Sequence, residues 1–456
     1  MEGLVEVGDN FKVLPNLAEK WDISADGLTY TFTLKNTKWS DGVPVKAKDF
    51  VFSWKRVLTK KSNAPYSSYL YPVKNAKNYF DGKISDFNQV GVKAVNDNTL
   101  VISLEKPVPY FIYVLTFWPT YPLREDHFTK FGKKAFAPSN FIGTGPYVLK
   151  EKTAQKVVLE KNKNFWGEAP KVDKIEMYYL ATREAERMYF KNGNSDVLVK
   201  ATNEDILELK KFGRLESFYV PQISFLEFNF KSPFFNNINL RKAFAHGFDR
   251  ADLVRKLGNG KPTKFLVPSE MSALSSQNGI EFNSQNANRF YVLTSDIAKG
   301  KVVELCTAGS KKTAEAIIET LKLNKSWNIE YKLTMASTEQ IATFKKQNKC
   351  DFYYSWWIAD YPDPENFLAM FSSEYNGSIT NYRSTKFDDY LKIGVGTLAK
   401  TDREKFYSMA EKTLLEEDVA IVPMYFSKEA MMLSKKIKNF YYAPLGYLYL
   451  KYAEVN

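Results

Sequence analysis

Lys301-Val302-Val303-Glu304-Leu305, then Ile317, Ile318 and Leu321, then Asn328 to Leu333, then Ile341 and Phe344, then Asp351-Phe352-Tyr353-Tyr354-Ser355-Trp356-Trp357-Ile358 form the stretch that decides the fold. Its apolar positions alternate between strand period and helix period, so it reads strand, helix, strand, helix, strand. Strands separated by helices predict an α/β domain with a largely parallel sheet. Downstream, Thr401-Asp402-Arg403-Glu404 has the form of a capping box opening a helix through Phe406, Met409 and Leu414, and Val419 to Phe426 reads as a buried strand. Upstream, Ile223 to Phe230 alternates as a strand, and Leu240, Phe244 and Phe248 mark a helix. Asp249 followed by Asp252 resembles the N-cap of another helix, carrying Leu253 and Leu257.

The first third of the chain has a different grammar. Thr29 to Leu34 alternates Tyr30, Phe32 and Leu34 with threonines, the period of a half-buried strand, and Asp49 to Lys60 places Phe50, Trp54, Val57 and Leu58 on one helical face. A second alternating strand, Thr99 to Leu104, is followed by Pro107, Pro109, Pro119 and Pro122, which keep the next stretch out of long regular structure. Gly143-Thr144-Gly145-Pro146 precedes a strand at Val157 to Glu160. Boundaries are expected near residues 140 and 230, and no internal repeat is evident.

The chain has 456 residues, 64 Lys+Arg against 52 Asp+Glu, 25% charged and 15% aromatic residues. At about 100 to 200 residues per domain this is two or three soluble globular domains. The net charge of +12 is spread along the chain without a dense basic block, so no nucleic-acid partner is expected. Cys306 and Cys350 lack CxxC partners and are expected as two unpaired thiols. His127 and His246 are isolated, with no HExxH and no triad-like motif. No metal and no cofactor are therefore expected, and no enzymatic activity. Met1 to Val5 shows no basic segment leading into an apolar one, so a targeting segment is expected to have been removed or the chain to start late.

Gly143-Thr144-Gly145 lacks the Gly-Lys-Ser/Thr ending of a phosphate loop, and Pro146 removes an amide, so a tight turn is expected. Asp360, Asp363 and Glu365 cluster around Pro362 and Pro364 without calcium-loop spacing, and Asp363 before a proline is turn chemistry. Asp360 differs because it ends the aromatic strand. Trp356 and Trp357 are neighbours and point to opposite faces of that strand, so they cannot share one core. A carboxylate at a strand end, beside an aromatic wall and a strand edge, is equipment for adding a guest peptide as an extra strand.

Several segments together resemble extracytoplasmic oligopeptide-binding proteins of ABC importers. They are Asn16 to Trp21, Asp26 to Phe32, Trp39 to Val45, Asp49 to Trp54, Pro65 to Leu70, Pro107 to Phe111, Gly143 to Lys150, Leu240 to Phe244 and Trp357 to Pro364. The resemblance covers nearly the whole chain. It implies an α/β, two-lobed fold of the type II periplasmic-binding class with an additional domain. The expected division is 1–140 for the additional domain, 141–229 with 428–456 for the first lobe, and 230–427 for the second. The resemblance implies a preceding N-terminal strand in the first lobe, and that segment is expected to be missing here.

The resemblance also implies that Asp360 pairs with the ligand's α-amino group and that Trp356, Trp357 and Ile358 hydrogen-bond its backbone. By the same resemblance Tyr66 is expected to reach the ligand from the additional domain. Tyr354 stands where some relatives have an arginine for the ligand carboxylate. Residues 262–298 depart from the Ala/Leu-rich helix expected there. The expected function is the solute-binding subunit of an importer, a monomer outside the cytoplasm, periplasmic or surface-anchored. It would capture short peptides and deliver them to a permease and its ATPase. Two alternatives stand beside it: binding of another solute such as haem, a sugar or a nickel chelate, and a truncated, non-transporting interaction or sensor protein.

Overall fold

The computed structural model describes residues 1–8, 11–374, 381–442 and 448–456. It divides into two compact units, Met1–Ser217 with Ala430–Asn456, and Phe218–Glu429.

In the first unit, Thr29–Leu34 lies in a four-stranded antiparallel sheet of order Ala18–Ile23, Thr29–Leu34, Thr99–Ser103, Val92–Asn96. Tyr30, Phe32 and Leu34 are buried and the threonines half-buried, as their alternation requires. The helix Ala47–Leu58 buries Phe50, Trp54, Val57 and Leu58. Two buried indoles are satisfied: Trp39 Nε1 donates to Asp49 Oδ2 at 3.0 Å and Trp54 Nε1 to the Thr120 carbonyl at 2.9 Å. The proline-rich stretch forms only short turns, Phe111–Val114 and Trp118–Thr120. Thr144 to Pro146 is a bend in which Thr144 Oγ1 accepts the Glu2 main-chain N–H. A three-stranded sheet follows, Tyr147–Lys152, Lys156–Lys161 and Lys174–Tyr178.

The second unit is built on β1 (Gly213–Phe228), α1 (Ile238–Gly247), α2 (Arg250–Leu257), β2 (Lys301–Thr307), α3 (Lys311–Leu321), β3 (Ile329–Met335), α4 (Thr338–Gln347), β4 (Phe352–Ile358), α5 (Glu365–Leu368), α6 (Lys400–Lys412) and β5 (Ile421–Ser434). These strands run in the order β5-β1-β4-β2-β3 within a seven-stranded sheet, in which Val197–Leu198 and Lys261–Pro262 also pair with β5. The chain passes between the units inside β1 and inside β5. Asp249 caps α2, accepting the Asp252 N–H at 2.9 Å, as its position before the apolar run predicts.

Four expectations are corrected. The sheet is mixed: β2 runs parallel to β3 and β4, but β4 is antiparallel to β1 from Gln222–Ile358 to Phe228–Phe352. The strand–helix grammar covers only residues 301–358, so β1, arriving from elsewhere in the chain, was free to pair the other way. Second, Ile223–Phe228 does not alternate in burial; all six residues are buried because β1 is covered on both faces. Third, α6 starts at Lys400, so Thr401 lies inside it and forms no capping box. Asp402 pairs with Lys405 at 2.9 Å instead.

The fourth correction is chemical. Cys306 and Cys350 are not free thiols; they form a disulfide. Cys306 sits in β2 opposite Tyr353, and Cys350 precedes β4, so pairing of two strands brings together residues 44 apart in sequence. Both are buried with Ile341 and Tyr353. The core on the other side gathers Phe228, Phe235, Phe244, Trp327 and Phe352. Phe244 packs edge-on to Phe235 and Phe352, at 4.9 and 6.1 Å between ring centroids.

Candidate functional site

The site candidates converge on β4. Its two edges are unequal. On one side β1 pairs with it along its whole length; on the other, β2 pairs only at Phe352 and Tyr353, with Thr307 Oγ1 donating to the Tyr354 carbonyl at 2.9 Å. Beyond Tyr354, among the described residues, no strand covers that edge. Ala359 N–H donates to the Pro221 carbonyl on the β1 side at 3.0 Å. Because successive peptide groups of a strand alternate in direction, the N–H and C=O of Trp356 and Ile358 face the uncovered edge.

The side chains alternate as well. Trp356 and Ile358 are 39% and 47% exposed on one face, while Trp357 turns to the other and is half-buried. The neighbouring tryptophans do point to opposite faces. Trp356 leans on Tyr354, with ring centroids 5.9 Å apart. Tyr354 itself is buried, its hydroxyl 3.5 Å from that of Tyr425, and burial pushes its phenol well above the usual range. It is therefore a neutral donor and acceptor, and carries no charge for a ligand carboxylate.

Asp360, half-buried, follows the strand. Its main-chain N–H donates to Asn366 Oδ1 at 3.1 Å, and the same oxygen accepts Trp357 Nε1–H at 3.0 Å. Asp363 is buried in the same loop. One oxygen accepts the Glu365 N–H at 3.0 Å and the other lies 3.8 Å from Arg403. This is the turn role expected of it. Burial, partly offset by Arg403, raises its pKa to about 6.

Below the open half of β4, Ser355 Oγ donates to Glu227 Oε2 at 2.9 Å and Lys345 Nζ reaches the same carboxylate at 3.1 Å. Glu227 is fully buried, and desolvation raises its pKa. Sequence reading missed Asn366, Glu227 and Lys345. A glutamate in the apolar run Ile223–Phe228 was the available signal, because a buried carboxylate needs a partner. Tyr66 belongs to the first unit, half-buried, with its ring 5.2 Å from Phe117 and 5.1 Å from the exposed Trp118.

Glu304, Cys306 and Cys350 bring potential metal-ligand atoms within 4.8 Å of one another. The sulfurs are bonded to each other, however, and Glu304 is held by Thr334 and by Lys332 at 3.0 Å. Among the described residues no helix is long and apolar enough to cross a membrane.

The family described as bacterial extracellular solute-binding proteins, family 5, middle region, matches residues 12–378. The chain belongs to this family. It is 29% identical over 489 aligned residues to the dipeptide-binding protein DppE of Bacillus subtilis (strain 168), covering 100% of this chain and 86% of that one. It is 28% identical to the periplasmic oligopeptide-binding protein OppA of Escherichia coli (strain K12), covering 95% and 82%. The structure of Listeria monocytogenes OppA bound to peptide matches with a TM-score of 0.79 at 26% identity, covering 100% and 92%. The fold class of this family 5 protein is the α/β, two-lobed type II periplasmic-binding fold.

Proposed function

We propose that this chain is the solute-binding subunit of an ABC importer, a binding protein and not an enzyme, which captures short peptides by their backbone and free N-terminus. The observation that carries the reading is the half-covered strand β4, with Asp360 just beyond its end. Trp356 and Ile358 offer outward peptide groups for a guest strand, giving affinity that does not depend on guest sequence. Asp360 takes the guest ammonium, Trp356 and Trp357 flank the guest on the two faces, and Tyr354 supplies a neutral hydroxyl. Residues 1–140 form the additional domain, from which Tyr66 reaches the guest. Residues 141–229 with 428–456 form the first lobe and 230–427 the second.

The guest passes to a permease and its ATPase, with the subunit acting as a monomer outside the cytoplasm, periplasmic or held at the cell surface. The buried disulfide supports that compartment, because such bonds persist where the environment is oxidising.

Isothermal titration with a series of two- to five-residue peptides and their N-acetylated forms tests the reading. A charge-assisted hydrogen bond of about 1.5–3 kcal/mol corresponds to roughly 10- to 150-fold weaker binding of the acetylated forms. Equal affinity would remove Asp360 from its role, and absence of binding across the series would remove the peptide reading.

A further inference from the structure

One side-chain oxygen joins two groups at the end of β4. Asn366 is 5% exposed and stands in the first turn of α5. Its Oδ1 receives two N–H groups, the Trp357 indole and the Asp360 main chain, at 3.0 and 3.1 Å. Both partners are donors, so the atom at that position must be the oxygen; a flipped amide would set donor against donor at both contacts.

Asn366 is itself fixed from behind. Its main-chain N–H donates to the Asp363 carbonyl at 3.0 Å, and Asp363 in turn caps the Glu365 N–H and faces Arg403. The bracket therefore spans from α6 through the turn to the last residues of the uncovered edge. At this point β4 has lost its second neighbouring strand, and Ala359 N–H to Pro221 is the last main-chain bond to β1. The bond to Asn366 restricts rotation of the Asp360 peptide plane, from which its carboxylate projects.

We infer that Asn366 is a positioning residue: through one shared acceptor it fixes the Asp360 backbone and the Trp357 ring, and so sets the selectivity for a free α-amino group. The inference rests on the peptide-binding reading of the same site. It assigns no contact between Asn366 and the guest. Its effect is on the preference for a free amine, which a merely structural residue would not alter.

The experiment compares the intact wild-type chain with Asn366→Ala, Asn366→Asp and Asp360→Asn. It measures the ratio of Kd for an N-acetylated tripeptide to Kd for the free tripeptide, and follows the Trp357 indole N–H in 1H–15N spectra without peptide. Asn366→Ala should lower the ratio about tenfold, chiefly by weakening the free peptide, and shift the indole signal. Asn366→Asp keeps an acceptor for both donors but adds a like charge beside Asp360. The pH at which free-peptide affinity halves should therefore rise by about one unit.

An unchanged ratio in Asn366→Ala, or equal losses for both peptides, would overturn the inference. Should Asn366→Ala fail to fold, an unmoved pH midpoint in Asn366→Asp would overturn it as well. A wild-type ratio no larger than that of Asp360→Asn would instead show that the amine reading itself fails, and the inference with it. A wild-type ratio far above Asp360→Asn, matched by Asn366→Ala, would remove the bracket alone.

Discussion

Phe352 to Tyr354 and Ser355 to Ile358 are two halves of one strand with the same aromatic character, yet they do different work. The first half has β1 on one side and β2 on the other, and all three of its residues are buried; the second half has β1 alone. The aromatic side chains are buried where both edges are paired, and Trp356 is partly exposed where, among the described residues, one edge is left uncovered. The boundary is set by where β2 ends, at Thr307, and β2 is tied to the start of β4 by the disulfide.

Five substitutions test this contrast. Phe352→Ala, in the paired half, removes a ring packed on Phe235 and Phe244 and should cost about 3–5 kcal/mol in urea unfolding. A loss below about 1 kcal/mol would break the distinction.

The next effect concerns the loop after the open half. Burial raises the folded pKa of Asp363 to about 6, above the ordinary aspartate value of about 3.9. The native state therefore holds its proton more tightly than the unfolded chain. The stabilisation is present in full below about pH 4 and is lost as pH rises through about 6, on the order of 3 kcal/mol. Unfolding measured at pH 4.5 and 7.5 should show this trend relative to Asp363→Asn, in which it is absent.

Proline substitution separates the two directions of the peptide groups. Ile358→Pro deletes an N–H that faces the uncovered edge, so stability should stay within about 1 kcal/mol while peptide affinity falls about three- to tenfold. Ser355→Pro deletes an N–H on the β1 side, together with the hydroxyl that reaches Glu227, and should destabilise the fold by more than that. Thermal melts and titration of both variants would reveal a reversed assignment. The smallest stability effect belongs to Trp356→Ala, within about 0.5–1 kcal/mol because the ring is partly exposed, with the loss appearing in peptide titration instead.

Much of this was legible in sequence. Thr29–Leu34, the helix through Phe50 and Trp54, and the Asp249 cap follow from local periodicity and backbone hydrogen-bonding needs. So does the opposition of Trp356 and Trp357, because side-chain alternation is fixed by strand geometry. The capping box at Thr401 failed because such a motif is only four residues long and the helix found its start elsewhere.

The sequence by itself determined part of the elements, among them Thr29–Leu34, the helix through Phe50 and Trp54 and the succession of strand and helix over residues 301–358, and the carboxylate following an aromatic strand, because these depend on neighbours a few residues away. Tertiary structure alone decided which strands pair and in which sense, that Cys306 meets Cys350, that β2 stops short of covering β4, and that Asn366 gathers Trp357 and Asp360. Each of these requires partners brought together by packing of the whole sheet, and no spacing along the chain encodes that proximity.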